Sequence, residues 1–144
     1  MIKFKYIIHT DGGSRGNPGP SAIGVVIEGE GIKKEYSEYI GEGTNNEAEY
    51  KAVVFALRKL KTLVGKENTQ NSEVEVIVDS ELLTKQLNNE YRVKDKEMRD
   101  LYMDIHNSMF DFEKVTFKHV YREDNKEADK LVNIALNKET NKLL

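Results

Sequence analysis

Apolar and polar residues alternate in three segments near the start of the chain, and this period of two predicts β-strands. The segments are residues 2–10, 21–28 and 32–40, separated by glycine-containing stretches. Strands that follow one another so closely are typical of an antiparallel meander.

Beyond Gly43 the spacing of apolar residues changes to three and four, which predicts helices. Thr44 or Asn45 caps a first helix that runs to about Val64. Further helices are predicted at residues 80–87, 96–109 and 126–137, and further strands at 75–78 and 115–120. The helix at 80–87 is expected to place three leucines inward: Leu82, Leu83 and Leu87.

The predicted order of elements is three strands, a helix, a strand, two helices, a strand and a helix. Right-handed crossovers would lay the last two strands parallel to the first. We therefore expect an α/β fold in a single domain, residues 1–144, with a five-stranded mixed sheet flanked by helices. Asp11 and Asp79 would end neighbouring parallel strands at the edge where such sheets bind ligands.

A glycine-rich segment follows the first strand, with Asp11 preceding Gly12, Gly13, Gly16 and Gly19. One interpretation is a turn that leads into a hairpin. The other is a carboxylate beside open backbone N–H groups, which suits a metal ion that meets a phosphate. The segment alone leaves both open.

Acidic residues number 25 of 144, so only their settings are informative. Asp11 and Asp79 follow strands, Glu49 extends the apolar stripe of the first helix, and Asp129 lies early in the last helix. Carboxylates brought together repel one another unless cations intervene, and hard oxygen ligands suit Mg²⁺ or Mn²⁺. Two such ions about 3.5–4 Å apart can hold the attacking and leaving oxygens of a phosphoryl displacement.

Composition excludes several other kinds of chemistry. The chain has no cysteine, which rules out disulfides, thiolate catalysis and cysteine-based zinc sites. The net charge of −3 gives no global nucleic-acid signature, although a local basic face is compatible with it. No apolar run approaches a membrane span and the N-terminus does not read as a signal peptide, so we expect a cytoplasmic protein.

Four motifs in order make the sequence resemble type-one ribonuclease H over nearly its whole length. They are Thr10-Asp11-Gly12-Gly13-Ser14 with Gly16-Asn17-Pro18-Gly19, Thr44-Asn45-Asn46-Glu47-Ala48-Glu49, Asp79-Ser80, and Arg122 through Asn125-Lys126-Glu127-Ala128-Asp129. The resemblance implies the ribonuclease H fold. It also implies hydrolysis of the RNA strand of an RNA–DNA hybrid, leaving 5′-phosphate and 3′-hydroxyl ends.

The resemblance also assigns roles to individual residues. Asp11 would bridge two Mg²⁺ ions, Glu49 and Asp79 would complete one metal site, and Asp129 would complete the other. Asn side chains and backbone amides of the hybrid-contacting residues would read 2′-hydroxyls, and Thr44 would hold a phosphate of the DNA strand. The expected contacts with the hybrid besides Thr44 are Gly12, Asn17, Asn45, Asn46 and Ser80. Thr44 and Asn45 would combine this contact with capping the helix.

The chain departs from the family pattern in the loop before the last helix. Many members carry a histidine there, whereas this chain has Arg122, which resembles the arginine of a compact subset and could stabilise charge. The histidines of this chain are expected to be structural: His9, His106 and His119. Glu81 replaces a frequent glutamine, and an acid there would repel phosphate unless a cation intervenes.

A second departure is the segment between the middle helices, which lacks the basic, tryptophan-bearing protrusion of many members. We also expect no separate hybrid-binding domain, and therefore modest, strongly salt-dependent affinity for the hybrid. The protein is expected to be a monomer.

Three other functions share some of these features. A phosphate-binding NTPase is excluded because the chain contains no Gly-x4-Gly-Lys-Ser/Thr motif. A non-catalytic nucleic-acid-binding module would have little reason to keep all four carboxylates. A related nuclease that also cleaves double-stranded RNA, or one that acts on structured DNA, stays open.

Overall fold

A computed structural model describes residues 2–142 and shows one five-stranded mixed sheet. The strands are β1 (Phe4–Ser14), β2 (Gly19–Gly29), β3 (Ile32–Gly43), β4 (Ser72–Val78) and β5 (Lys114–His119). The helices are α1 (Asn45–Val64), α2 (Lys66–Thr69), α3 (Glu81–Leu87), α4 (Lys96–Met109) and α5 (Lys126–Lys142), with a 3₁₀ turn at Arg122–Asp124. None of these helices combines the length and apolarity that a membrane span requires.

The strand order is β3-β2-β1-β4-β5. The first three strands form the predicted antiparallel meander, and β4 and β5 continue the sheet in parallel with β1. The α/β fold class and the mixed sheet are therefore confirmed.

Helices cover both faces of the sheet. On one face, α1 packs on β1 and β2 and α4 packs on α1, around a core whose fully buried side chains include Ile8, Val53 and Leu57. On the other face, α5 packs on β1, β2 and β3, with Ala22 against Val132. The last helix of the chain therefore lies on its first three strands.

The predicted bounds of several elements were wrong. The first strand does not end at Thr10, because the glycine-rich segment keeps pairing with β2 as far as Ser14 opposite Ser21. A short helix, α2, occupies part of the predicted loop, and β4 begins at Ser72 and not at Glu75. β3 continues to Gly43, and α5 continues to Lys142.

Leu82 was also placed wrongly. Its side chain is 43% exposed, whereas Leu83 and Leu87 are buried. Leu83 and Leu87 are four residues apart and share one face of α3, and Leu82 is turned by about 100° from Leu83. The apolar character of Leu82 misled the assignment because a helix of seven residues holds little periodicity.

Candidate metal and nucleic-acid site

Asp11 and Asp79 lie together where the parallel pairing of β1 and β4 ends. The last recorded pair is His9 with Ile77, and β4 ends at Val78, directly before Asp79. Asp11 was predicted to end its strand, and this was wrong. It lies within the part of β1 that pairs only with β2. Its side chain is 7% exposed, and its Oδ1 accepts a hydrogen bond from the Gly12 N–H at 2.9 Å.

Glu49 reaches the same place because α1 lies directly on the strand at Gly12. A Cβ on Gly12 would stand 2.3 Å from the carbonyl of Ala48, which is far closer than real atoms approach. Asp11, Glu49 and Asp79 each offer a carboxylate oxygen within 4.8 Å of the other two. The structure therefore brings together three of the four predicted metal ligands.

Asp129, the fourth predicted ligand, lies outside that group of three but close to it. It occupies the first turn of α5, which is held against the sheet at Gly24, the β2 residue opposite Asp11. A Cβ on Gly24 would lie 2.1 Å from the carbonyl oxygen of Ala128. The negative charge of Asp129 is one of the causes that raise the pKa of Asp11.

The carboxylates destabilise one another's charged forms. Burial, reinforced by the charges of Asp79, Asp129 and Glu49, raises the pKa of Asp11 to about 8. Burial and the charge of Asp79 raise the pKa of Glu49 to about 7, partly offset by a hydrogen bond from Ser80 and the positive charge of Arg122. Oxygen ligands in this condition fit a hard divalent cation, which would neutralise the repulsion.

Four of the predicted substrate contacts also hold the local structure together. Thr44 caps α1, since its hydroxyl accepts from the Glu47 N–H, and Ser80 caps α3 by accepting from the Leu83 N–H. Asn17 Oδ1 accepts from the Asn45 N–H at 3.1 Å. Asn45 Oδ1 accepts from the Ser14 N–H at 2.8 Å.

These bonds tie the glycine-rich segment to the start of α1, and they use the amide oxygens of Asn17 and Asn45. The side-chain NH₂ groups of both residues are the remaining donors, and both residues are exposed. Asn46 is exposed beside them. Three exposed amide donors therefore lie at the start of α1, the helix that carries Glu49.

Arg122 begins the 3₁₀ turn and is exposed, and its charge acts on Glu49. Glu81, on the first turn of α3, forms an ion pair with Lys85 at 3.1 Å. The positive charge of Lys85 therefore lies beside Glu81, the acid that was expected to repel phosphate unless a cation intervenes.

Within residues 2–142, none of the histidines belongs to the group of three carboxylates. His106 stacks on Tyr102 and meets Phe110 edge-on, whereas His119 is the last residue of β5 and meets Tyr121 edge-on. His9 is half-buried within β1.

Asn125 belongs to one of the four motifs, but no role was predicted for its side chain. An asparagine directly before a helix normally indicates a cap, but this side chain is 1% exposed and turns inward. Its NH₂ group donates to the Thr10 carbonyl at 2.8 Å and contacts Asp79 Oδ2 at 3.4 Å.

Comparison with known proteins agrees with this geometry. Residues 9–135 match the protein family described as "Reverse transcriptase-like". A "Ribonuclease HI" of Halobacterium salinarum is 37% identical over 128 residues, which cover 88% of this chain and 61% of that protein. A "Bifunctional protein" of Mycobacterium tuberculosis is 32% identical over 136 residues, covering 92% of this chain but only 36% of its own length. The chain thus spans less than two thirds of the length of both relatives.

Among solved structures, LC11-RNase H1, isolated from compost by a metagenomic approach, was crystallised in complex with an RNA/DNA hybrid. It is 43% identical, with a TM-score of 0.87, over 94% of this chain and 99% of that one. Sequence, fold and the carboxylate group agree. The chain therefore belongs to the ribonuclease HI family.

Proposed function

We propose that this protein hydrolyses the RNA strand of RNA–DNA hybrids, leaving 5′-phosphate and 3′-hydroxyl ends. The observation that carries the proposal is the convergence of Asp11, Glu49 and Asp79 within 4.8 Å at one sheet edge. The similar LC11-RNase H1, whose structure contains an RNA/DNA hybrid, supports the choice of substrate.

Asp11, Glu49 and Asp79, with Asp129 beside them, would hold two divalent ions, Mg²⁺ or in its place Mn²⁺. When bound, such ions stabilise the charge on the attacking and leaving oxygens of a phosphodiester. The chain's own contribution is to hold these carboxylates on separate rigid elements, so that little has to rearrange before reaction.

Arg122 would add a positive charge beside this centre. Its positive charge offsets part of the raised pKa of Glu49, and this supports such a role. An arginine cannot donate a proton readily near neutral pH, so its part is charge stabilisation.

The NH₂ groups of Asn17, Asn45 and Asn46 would select RNA by donating to 2′-hydroxyls in the wide minor groove of the hybrid. Gly12, Thr44 and Ser80 would line the same surface. The Asn17–Asn45 hydrogen bond supports this role, because it fixes the spacing of two of the donors.

The test is incubation of the protein with labelled RNA–DNA, RNA–RNA and DNA–DNA duplexes in Mg²⁺ or Mn²⁺. We expect cleavage of the RNA strand of the hybrid and none of the DNA duplex. Equal cleavage of the hybrid and the DNA duplex would contradict the proposal, and cleavage of RNA–RNA would widen the substrate class.

Asp11→Asn should reduce hydrolysis at least about 10³-fold, because it removes a charge shared by the whole group. Asp104→Asn is the matched control, since Asp104 is an exposed acid of α4 that pairs with Arg58 at 3.9 Å. Near-wild-type cleavage by Asp11→Asn would refute the assignment of the site.

A further inference from the structure

Asn125 connects three parts of the site through one side chain and one carbonyl group. Its NH₂ group donates to the Thr10 carbonyl at 2.8 Å, directly before Asp11. The same NH₂ group lies 3.4 Å from Asp79 Oδ2. Its backbone carbonyl accepts from the Asp129 N–H at 3.2 Å. The residue therefore contacts β1, Asp79 and the first turn of α5 at once.

The orientation of this amide is fixed by its surroundings. Both of its contacts, the Thr10 carbonyl and Asp79 Oδ2, are oxygen atoms that need a donor. The reversed amide would place its own oxygen against both of them, so only the NH₂ group can face this way.

This orientation leaves the other end of the amide unsatisfied. Asn125 Oδ1 is fully buried, and no group among residues 2–142 donates to it. The side chain also gives up the usual capping bond to α5 by turning inward. A buried acceptor without a donor reduces stability, so the fold gains little from having asparagine here. What this position supplies is a donor beside Asp79.

We propose that Asn125 is a positioning residue that sets the affinity of the carboxylate group for divalent ions. Its NH₂ group restrains Asp79 Oδ2, and its hydrogen bonds to Thr10 and Asp129 fix the position of α5 relative to β1. Residues that restrain metal ligands in this way typically change metal affinity about 10-fold to 100-fold when they are removed. This inference rests on the proposed function.

The test compares the wild type with Asn125→Ala and Asn125→Leu, which keeps the volume of the side chain but removes the donor. Mg²⁺ is titrated while Tm is recorded, so that metal binding is followed without catalysis. We expect the Mg²⁺ concentration at half-maximal shift to rise about 10-fold in both variants. In cleavage assays, the Mg²⁺ concentration that gives half-maximal activity should rise by the same factor. The kcat should be lower, and the KM for the hybrid should be nearly unchanged.

Asn88→Ala is the matched control. The Asn88 NH₂ group also donates to a strand carbonyl, that of Phe117 at 3.3 Å, but Asn88 lies at the end of α3 away from the carboxylates. We expect its Mg²⁺ midpoint to stay within twofold of the wild type.

A midpoint within twofold of the wild type in a folded Asn125 variant would overturn the proposal. Loss of the fold in both Asn125 variants would also overturn it, because the residue would then serve the fold itself. A wild type that shows no Mg²⁺ effect would refute the metal site and this inference together. A wild type that binds Mg²⁺ but does not cut the hybrid would refute the proposed function alone.

Discussion

Asp11 and Glu49 hold like charges in a mostly buried setting, and this gives the protein a dependence on pH. Their pKa values are raised from 3.8 to about 8 and from 4.5 to about 7. Between about pH 4 and pH 8 the folded chain therefore binds more protons than the unfolded chain. Stability from these groups is complete below about pH 4 and is lost as pH rises towards 8.

The first prediction concerns the protein in a metal chelator. Asp11→Asn removes one of the repelling charges, so it should stabilise the protein relative to the wild type, and more at pH 8 than at pH 5. The difference between the two pH values should exceed about 1 kcal/mol, close to one pKa unit. Urea unfolding at both pH values measures it, and an equal effect at both would show that Asp11 is not protonated near neutrality.

The second prediction concerns Arg122. Arg122→Ala should lower turnover by about 10²-fold, as expected for a lost contact with developing charge. Arg122→Lys should recover part of this, because the charge returns without the planar fork. Rates measured against pH should show no acidic limb typical of imidazole in either the wild type or the lysine variant.

Arg58→Ala is the control for Arg122, since Arg58 is an exposed arginine on α1 paired with Asp104. Its turnover should match the wild type. Unchanged turnover in Arg122→Ala would contradict this role and mean that another group stabilises the charge on the leaving oxygen.

Individual residues were predictable where local chemistry decides their role. Thr44 and Ser80 were expected to begin helices and do so as caps. Asn125 also stands directly before a helix, but its side chain does not cap that helix, because it donates to the Thr10 carbonyl, 115 residues away along the chain. A contact that distant leaves no trace in the neighbouring residues.

Among the elements, the position of α5 depends on one glycine. A Cβ at Gly24 would meet the backbone of α5 at 2.1 Å, whereas a Cβ at Gly13 would meet only the Val132 side chain at 3.5 Å. Both glycines face the same helix, so they form a matched pair.

The third prediction follows from this pair. Gly24→Ala should lower the free energy of unfolding by about 3 kcal/mol and reduce cleavage, because α5 must move away from the sheet with Asp129. Gly13→Ala should leave stability within about 1 kcal/mol of the wild type. Thermal unfolding and activity of the two variants decide the matter, and equal losses in both would contradict a specific contact at Gly24.

The order and pairing of the elements were predictable because alternation and helical spacing persist over long stretches. The extent of β1 was not predictable, because its glycines show no alternation of apolar and polar residues. Residues 11–14 are part of the strand only because they pair with β2. The short helix α2 was not predicted for a related reason, since four residues are too few to show a helical spacing of apolar positions.

The molecule as a whole has a net charge of −3 and concentrates acids at its proposed site. Binding to a polyanion must therefore rely on locally placed cations. The segment before and within α4 is mixed in charge, and Lys96 pairs with Asp100 at 3.7 Å. Its cations are Arg92, Lys94, Lys96 and Arg99, and its acids are Glu90, Asp95, Glu97 and Asp100.

The fourth prediction is that hybrid binding weakens steeply with salt. The logarithm of Kd, measured by fluorescence anisotropy with the inactive Asp11→Asn variant at fixed Mg²⁺, should rise with the logarithm of salt concentration with a slope of about 2 or more. Removing Arg99 should reduce the slope by about 1 if it contacts a phosphate. A slope near zero would exclude phosphate contacts as the source of affinity.

The packing of α5 on the first three strands has a consequence for how the protein is made. A ribosome adds about 5–20 residues per second, so Thr10 leaves it on the order of ten seconds before Asn125, its partner 115 residues later, is available. Until then the strand that carries Asp11 lacks the helix that covers one of its faces. The nascent chain therefore emerges without an assembled site, and the proposed cleavage activity would arrive only when the last helix docks.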